Sequence, residues 1–298
     1  MNRNLLAILA CPNCGGAFAL QTERLVCSSC GAEYPIRRGV PVFLEAELDD
    51  THLRMEAEAE LFERWHVKST DRRQRAWAES REGVERVLHG LCDSFDGKAL
   101  LNVGCGVDTL FTQFAPSKTL FVNLDIVENT LALLAERGCE NVVCADARVL
   151  PFKPGSFDLV LCLSLLHHFF TAGMEGPLQT IASMLKPGGT ILVQEPNKWA
   201  FLRLPVAWMP HSMQLAQRRL RALLTRKKVR PAHYEDHLSR RSIVRLLRKA
   251  GFTDIRAHPS PGYPGDGFAA ETLTQFSKSS RFLATHLSYS WILTARKG

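Results

Sequence analysis

No apolar run in the 298 residues approaches the ~20 that a membrane-spanning helix requires, so a chain threaded through a bilayer by helices is not expected. A secretory leader is not expected either. Arg3 and the short apolar stretch ending Ile8-Leu9-Ala10-Cys11 lack both the length and the small-residue cleavage pattern of one. From Leu48 to Asp96 there is no proline and there are only two glycines, Gly83 and Gly90, which leaves helices as the expectation. Val84, Val87, Leu88 and Leu91 repeat there at i, i+3, i+4 and i+7, one helix face. Trp65 and Trp77 read as packing residues or as substrate contacts, and neither is assigned to a site. Acidic residues are scarce where basic ones are dense. Between Asn197 and Arg256 fifteen Lys and Arg meet only Glu235, Asp236 and Asp254, a local +12 in a chain of net charge +7, so the basic character belongs to one segment. Cysteine is plentiful, nine in all, but its pattern does not suggest disulfides. Four sit in two CxxC pairs, and Cys92, Cys105, Cys139, Cys144 and Cys162 are scattered in or near apolar strands. That usage fits a reducing, cytoplasmic compartment. With 46% hydrophobic residues the length suffices for one core and an accessory module.

Cys11-Pro-Asn-Cys14-Gly and Cys27-Ser-Ser-Cys30-Gly, twelve residues apart, are two knuckles of one form. Each turn brings two thiolates to one side, and two turns complete a tetrahedral sulfur shell suited to structural zinc. With all four positions filled by protein, no open position is left for catalysis. The segment Tyr34 to Leu44, with Gly39-Val-Pro41, resembles the tail of the small zinc-ribbon activator subunits of RNA and protein methyltransferases over about residues 5 to 45. A module under ~50 residues has too little core to fold without its metal.

From Lys98 apolar strands alternate with helical segments: Ala99–Val103, Leu120–Leu124, Asn141–Cys144, Phe157–Leu163 and Thr190–Val193. Leu131 and Leu134, then Leu178, Ile181 and Leu185, then Ile243, Leu246, Leu247 and Ala250 mark helices between and after them, the last stopping at Gly251. This predicts an α/β fold, a doubly wound sheet that binds ligands at the carboxyl ends of its strands. The first strand ends in Asn102-Val-Gly104-Cys105-Gly106-Val-Asp108. Thr109 stands where a dinucleotide fingerprint needs a small residue, which disfavours NAD and FAD. Asp125 ends the second strand, about twenty residues on, where a carboxylate grips ribose hydroxyls or caps a helix. Cys144-Ala-Asp146-Ala147 ends the third. Leu150-Pro-Phe152, Ser156-Phe-Asp158, Ser164-Leu-Leu-His167-His168 and Leu185-Lys-Pro-Gly-Gly189 follow in order.

These elements together resemble class I S-adenosylmethionine-dependent methyltransferases of type 11. The resemblance implies a Rossmann-like seven-stranded sheet whose last strand, Leu287–Ala295, is antiparallel beside the fifth. It implies S-adenosyl-L-methionine held by Asn102, Gly104, Cys105, Gly106, Asp125 on the ribose, Ile126 on the adenine, Asp146 and Ala147 at the adenine edge, and Ser164 near the methionine part. Asn102 stands where the family has an acid and Asp108 where it has a third glycine, which Asp108 offsets as a cap for a helix from Thr109. The domain plan is a ribbon over 1–47, helices over 48–96 and the methyltransferase domain over 97–298, with a helical lid insertion at 197–237.

Methyl transfer needs alignment and a dry site, and a base only where the acceptor must lose a proton. His167 and His168 stand at the acceptor mouth as base or as packing, and Glu195, Pro196 and Asn197 as pocket wall. The D/N-P-P-Y/F tetrapeptide of base-amino DNA enzymes and the Pro-Cys of cytosine C5 enzymes are absent, which disfavours those acceptors. The insertion is apolar and aromatic from Trp199 to Met209 and basic from Arg218 to Arg230. Three readings stand: a small hydrophobic or anionic metabolite, compatible with peripheral membrane contact; RNA drawn to the basic half; or a solvated helix. A catalytically inactive, zinc-anchored scaffold is the non-enzyme alternative. The residues from Pro259 to Gly267 read as loop and those from Ala269 to His286 as helix.

Overall fold

The computed structural model describes residues 2–44, 71–106, 118–169, 174–197, 238–260, 275 and 290–298, with only the backbone given for 71–80 and 259. The readings made for Trp65, Asp108, Thr109, most of the 197–237 insertion and the helix over 269–286 lie outside these residues, as does the side chain of Trp77.

The chain opens with a helix that the sequence pattern does not announce, α1 (Arg3–Ile8), capped by the Asn2 side chain, which accepts from Asn4 N at 2.8 Å. Four short strands follow: β1 (Phe18–Gln21), β2 (Arg24–Cys27), β3 (Glu33–Arg37) and β4 (Val40–Pro41), forming one antiparallel sheet in that order. The β3–β4 turn puts both Arg38 and Gly39 at positive φ, the hairpin geometry for two tight-turn residues. Next come α2 (Asp71–Leu91), β5 (Ala99–Val103), β6 (Leu120–Asp125), α3 (Glu128–Glu136), β7 (Val142–Cys144) and β8 (Phe157–Leu163). The chain continues with α4 (Glu175–Met184), β9 (Leu185–Pro196), α5 (Arg240–Lys249), β10 (Phe252–Ser260) and β11 (Ser290–Lys297).

The large sheet has the order β10-β11-β9-β8-β5-β6-β7, with β5 to β9 parallel and β11 antiparallel to both of its neighbours. This is the expected seven-stranded, doubly wound α/β architecture. β9 begins at Leu185, five residues before the expected start, because Lys186 to Gly189 already run alongside β8 through a bulge. Leu185 therefore leaves the helix face assigned to it and begins the strand. β10 was not expected as a strand. Its Thr, Asp, Arg and His residues suit an edge with water on one side, and the pattern lacks a buried run. Of the α2 stripe, Val84 and Leu88 are buried, whereas Leu91 is exposed at the helix end.

The sheet's two faces carry two cores. Leu101, Val103, Val160, Ile191 and Val193 face α4 and α5, where Ile181, Ile243 and Leu247 are fully buried. Leu100, Leu159, Leu161 and Leu192 face α2 and α3. Asp158 and Lys186, both from the recurring motifs, have a structural use. The Asp158 carboxylate accepts from Ala99 N at 2.9 Å and from Lys186 Nζ at 2.8 Å, tying β8 to the start of β5 and to the bulge. Burial pushes this carboxyl up, but the Ala99 N–H and the Lys186 charge outweigh it and hold it below the usual range.

The ribbon wraps the β7 edge of this sheet. Leu5, Leu9 and Phe43 join the α4–α5 core, and Val40 and Val42 join the other. Ala10 N donates to Pro151 O at 3.0 Å, Lys153 N to Ile8 O at 2.9 Å and Phe43 N to Cys144 O at 2.8 Å, while Val42 bridges Cys144 in parallel. Two surface contacts add to this seam, Arg37 to Glu128 at 3.0 Å and Arg38 to Asn129 at 2.6 Å. The edge that would otherwise offer unpaired backbone is covered.

Candidate active site and metal centre

The four knuckle cysteines converge, their sulfurs all within 4.8 Å of one another. Cys11 and Cys30 lie 3.7 Å apart, Cys14 and Cys27 3.5 Å apart. Tetrahedral zinc with Zn–S bonds of ~2.3 Å asks for sulfurs about 3.8 Å apart, and the cluster fits. Gly15 and Gly31 occupy matching positions at φ +73° and +74°, which is why a glycine follows each pair. Crowded thiols strain each other's ionisation. The N–H of Cys30 helps bring Cys27 down to about 6. For Cys14 the pull of the Gly16 N–H is outweighed by the neighbouring sulfurs, which send it up to about 12. A dication removes that conflict by accepting all four as thiolates. The Tyr34 hydroxyl, 3.7 Å from Cys11 Sγ, is placed to donate to that thiolate from a ring packed on Phe18 and Phe43.

In the large sheet, the carboxyl ends of β5, β6, β8 and β9 form one rim. The glycine turn after β5 is pinned to β6: Gly104 N and Cys105 N both donate to Leu124 O, and Gly106 N donates to Asp125 Oδ2 at 2.8 Å. Asp125 Oδ1 accepts from Val127 N at 3.0 Å. Burial pushes the Asp125 carboxyl up, while the N–H groups of Val127, Gly106 and Ile126 and the charge of His168 pull it down. Gly104 has φ +67°, and a Cβ there would lie 2.6 Å from Leu165 Cδ1, so turn and β8 end are in close contact. Ile126, half-buried, follows Asp125 on the same rim.

Two expected positions behave differently. Asn102 is fully buried on the α3 side of the sheet, behind the turn. Its Nδ2 donates to Asn123 Oδ1 at 3.2 Å, Asn123 Nδ2 donates to Cys139 Sγ, and the Asn102 Oδ1 has no partner among the described residues. Asp146 is already engaged: its Oδ1 accepts from Arg148 N and its Oδ2 from Arg148 Nε, both at 2.7 Å. Ala147 beside it is buried.

Ser164 follows β8 with φ +56°, its N donating to Gln194 O at 2.7 Å, a strained conformation for a serine at the rim. The backbone then makes a 3₁₀ turn over Leu166–His168. The rings of His167 and His168 lie 4.2 Å apart. Glu195, fully buried at the end of β9, accepts from Leu166 N with Oε1 at 2.6 Å, and its Oε2 lies 2.8 Å from His167 Nδ1. From the sequence, Glu195 belonged only to the pocket wall. The available signal was an acid in the alternation of Ile191, Val193 and Glu195, where the strand otherwise points apolar side chains inward.

The basic segment is represented by α5. Arg241, Arg245 and Arg248 are exposed along one side of that helix at i, i+4 and i+7, Lys249 pairs with Glu175 at 2.6 Å, and Arg240 lies over the Trp291 ring.

Comparison with known proteins agrees with this geometry. Residues 101–193 match the family model of a methyltransferase domain, and residues 2–39 match that of Trm112p-like protein. The ubiquinone biosynthesis O-methyltransferase of Bordetella bronchiseptica is 29% identical over 111 residues, 35% of this chain and 45% of that protein. The tRNA (carboxymethyluridine(34)-5-O)-methyltransferase ALKBH8 of Macaca fascicularis is 29% identical over 184 residues, 58% of this chain and 25% of that protein. The chain thus spans less than half the length of these relatives. A solved SAM-dependent methyltransferase from Thermotoga maritima shares the fold at a TM-score of 0.54 and 16% identity, covering 83% of this chain and all of that one.

Proposed function

We propose that this chain, which carries a methyltransferase domain behind a Trm112p-like zinc ribbon, transfers a methyl group from S-adenosylmethionine to an oxygen or nitrogen of a small hydrophobic or anionic metabolite. The observation that carries the reading is the Asp125 carboxylate, tied to the glycine turn through Gly106 N and facing the His167–His168 turn across the rim. Each Asp125 oxygen uses one lone pair on the backbone and keeps capacity for a ribose hydroxyl. Gly104, Cys105 and Gly106 bring backbone close to the donor, Ile126 and Ala147 offer apolar contact to the adenine, Asp146 shares its carboxylate between Arg148 and the adenine amino group, and Ser164 borders the methionine part. Asn102 supports the turn from behind. When bound, S-adenosylmethionine supplies a methyl group on a positively charged sulfur. The chain's work is to align an acceptor with it and to exclude water. A metabolite acceptor fits the apolar Trp199–Met209 stretch and the name of the Bordetella relative.

RNA is the second reading, favoured by the exposed Arg241, Arg245 and Arg248, which can each meet a phosphate, and by the name of the ALKBH8 relative. Labelled methyl transfer tests both. Uptake by phenolic or other hydroxylated small acceptors is the expected result. Label on total tRNA that vanishes as salt is raised from 50 to about 200 mM would move the acceptor to RNA. A protein that fails to bind S-adenosylhomocysteine at all would be a scaffold.

Gly104 gives a narrower check. Gly104→Ala must move Leu165 or the turn, and the expected cost is about 1–3 kcal/mol of stability, measured as a lowered urea midpoint at unchanged slope. A midpoint equal to that of the native protein would show that the turn and β8 are not in contact.

A further inference from the structure

We propose that Glu195 is a positioning residue that holds His167 as the proton acceptor of the reaction, so that the methyl acceptor is a group that must lose a proton, a hydroxyl or an N–H. This rests on the methyl-transfer reading above and deepens it.

A buried carboxylate within 2.8 Å of an imidazole nitrogen fixes the ring's tautomer. Glu195 receives the Leu166 N–H on one oxygen at 2.6 Å and faces His167 Nδ1 with the other, and an ionised carboxylate can only accept. Nδ1 therefore carries a hydrogen and donates it, and in the neutral ring Nε2, on the far edge, carries the lone pair. The arrangement is costly unless used. Glu195 is fully buried and His167 is 5% exposed, and an acid placed among Val193, Leu166 and Cys162 pays for desolvation that a glutamine or leucine would avoid. The Leu166 N–H alone does not call for a charge. A neutral histidine alone does not either. An imidazole that becomes positive during turnover does, because the carboxylate then stabilises the charge where little water reaches it.

Cys162 and His168 both face the pair. Cys162 on β8 lies close enough to Glu195 for that charge to help keep its thiol protonated, with burial the larger cause. His168 stacks on His167 at 4.2 Å and also faces the Asp125 carboxylate. The two histidines thus have different neighbours: His168 looks toward the ribose carboxylate and His167 toward Glu195, which selects His167 as the base. In the step itself the acceptor's X–H gives its proton to His167 Nε2 while its electron pair forms the bond to the methyl carbon. The carbon–sulfur bond breaks with its pair remaining on sulfur, which becomes a neutral thioether. His167 later returns the proton to water.

The test uses the full-length, zinc-replete protein and ¹⁵N NMR of its imidazoles, with S-adenosylhomocysteine titration beside it. In the native protein His167 is expected to carry its neutral hydrogen on Nδ1. In Glu195→Gln, which keeps the shape and an acceptor for Leu166 N, its titration midpoint moves down while S-adenosylhomocysteine affinity stays within about twofold. Turnover falls about tenfold, with the rate profile displaced along the pH axis, and His167→Asn costs about 10²-fold or more. A native His167 protonated on Nε2, or an unchanged midpoint in Glu195→Gln, overturns the assignment. The tautomer is read on the native chain, so it decides the assignment even if a variant fails to fold. Failure of the donor reading shows separately, as absence of S-adenosylhomocysteine binding by the native protein.

Discussion

Removing the zinc, by chelation or by Cys27→Ser, is expected to unfold the catalytic domain together with the ribbon in a single thermal transition, with the melting temperature down by more than about 10 °C. Structural zinc in such modules contributes on the order of 10 kcal/mol to folding, comparable with the entire stability of a domain. The loss does not stop at residue 44, because the ribbon supplies material to both cores. Leu5 and Leu9, each fully buried, contribute about 1.5–3 kcal/mol apiece by burial, and Val40 and Val42 close the opposite face. Three backbone hydrogen bonds to Cys144, Pro151 and Lys153 go with them, and the β7 edge is laid open to pairing with other chains. Calorimetry with measured zinc content distinguishes the cases. Two resolved transitions, with the higher one unmoved by chelator, would mean that the ribbon is only tethered to the sheet.

The second large effect is at Asp125. Asp125→Ala is expected to weaken S-adenosylhomocysteine binding at least about a hundredfold, with folding retained. The substitution removes the proposed ribose acceptor and also frees Gly106 N and Val127 N, which now hold the carboxylate at 2.8 and 3.0 Å. Hydrogen bonds to a charged group contribute about 1.5–3 kcal/mol each, so two lost to the ligand amount to about 3 kcal/mol, the hundredfold loss. Calorimetric titration reads this directly. Asp125→Asn, which retains one acceptor oxygen, should fall between. Equal affinity in native and Ala proteins would mean that Asp125 serves only to cap the turn after β6.

What the sequence disclosed and what it hid divide along physical lines. The cysteine knuckles were legible because metal ligation demands a residue type at a fixed spacing, and the parallel strands because both of their faces are buried and nearly every position is apolar. The glycine turn and Asp125 were legible as neighbouring strand ends by the same local spacing, and Gly106 N joins them by its bond to the carboxylate. β10 was hidden because an edge strand may be polar, and α1 because six residues are too few to show a period. The reach of Leu5 and Leu9 into the main core lay in the sequence only as two apolar residues. Glu195 and His167, twenty-eight residues apart, are joined by the pairing of β8 with β9, and no local pattern announces such a contact. Asn102 shows the reverse case. Its motif position suggested the cofactor's surface, but the pleat of β5 turns its amide toward Asn123 on the next strand.

The wrapped seam between ribbon and sheet also sets an order in time. At roughly 5–20 residues per second of synthesis, residues 150 to 185 follow residue 44 by something like ten seconds. During that interval Leu5 and Leu9 have left the ribosome without the core they join, since Phe152, which bridges Leu9, and the β8 and β9 residues of that core do not yet exist. A zinc-loaded ribbon can fold early, but it waits with an apolar flank exposed, and the nascent chain is at its most adhesive before the sheet edge arrives to cover it.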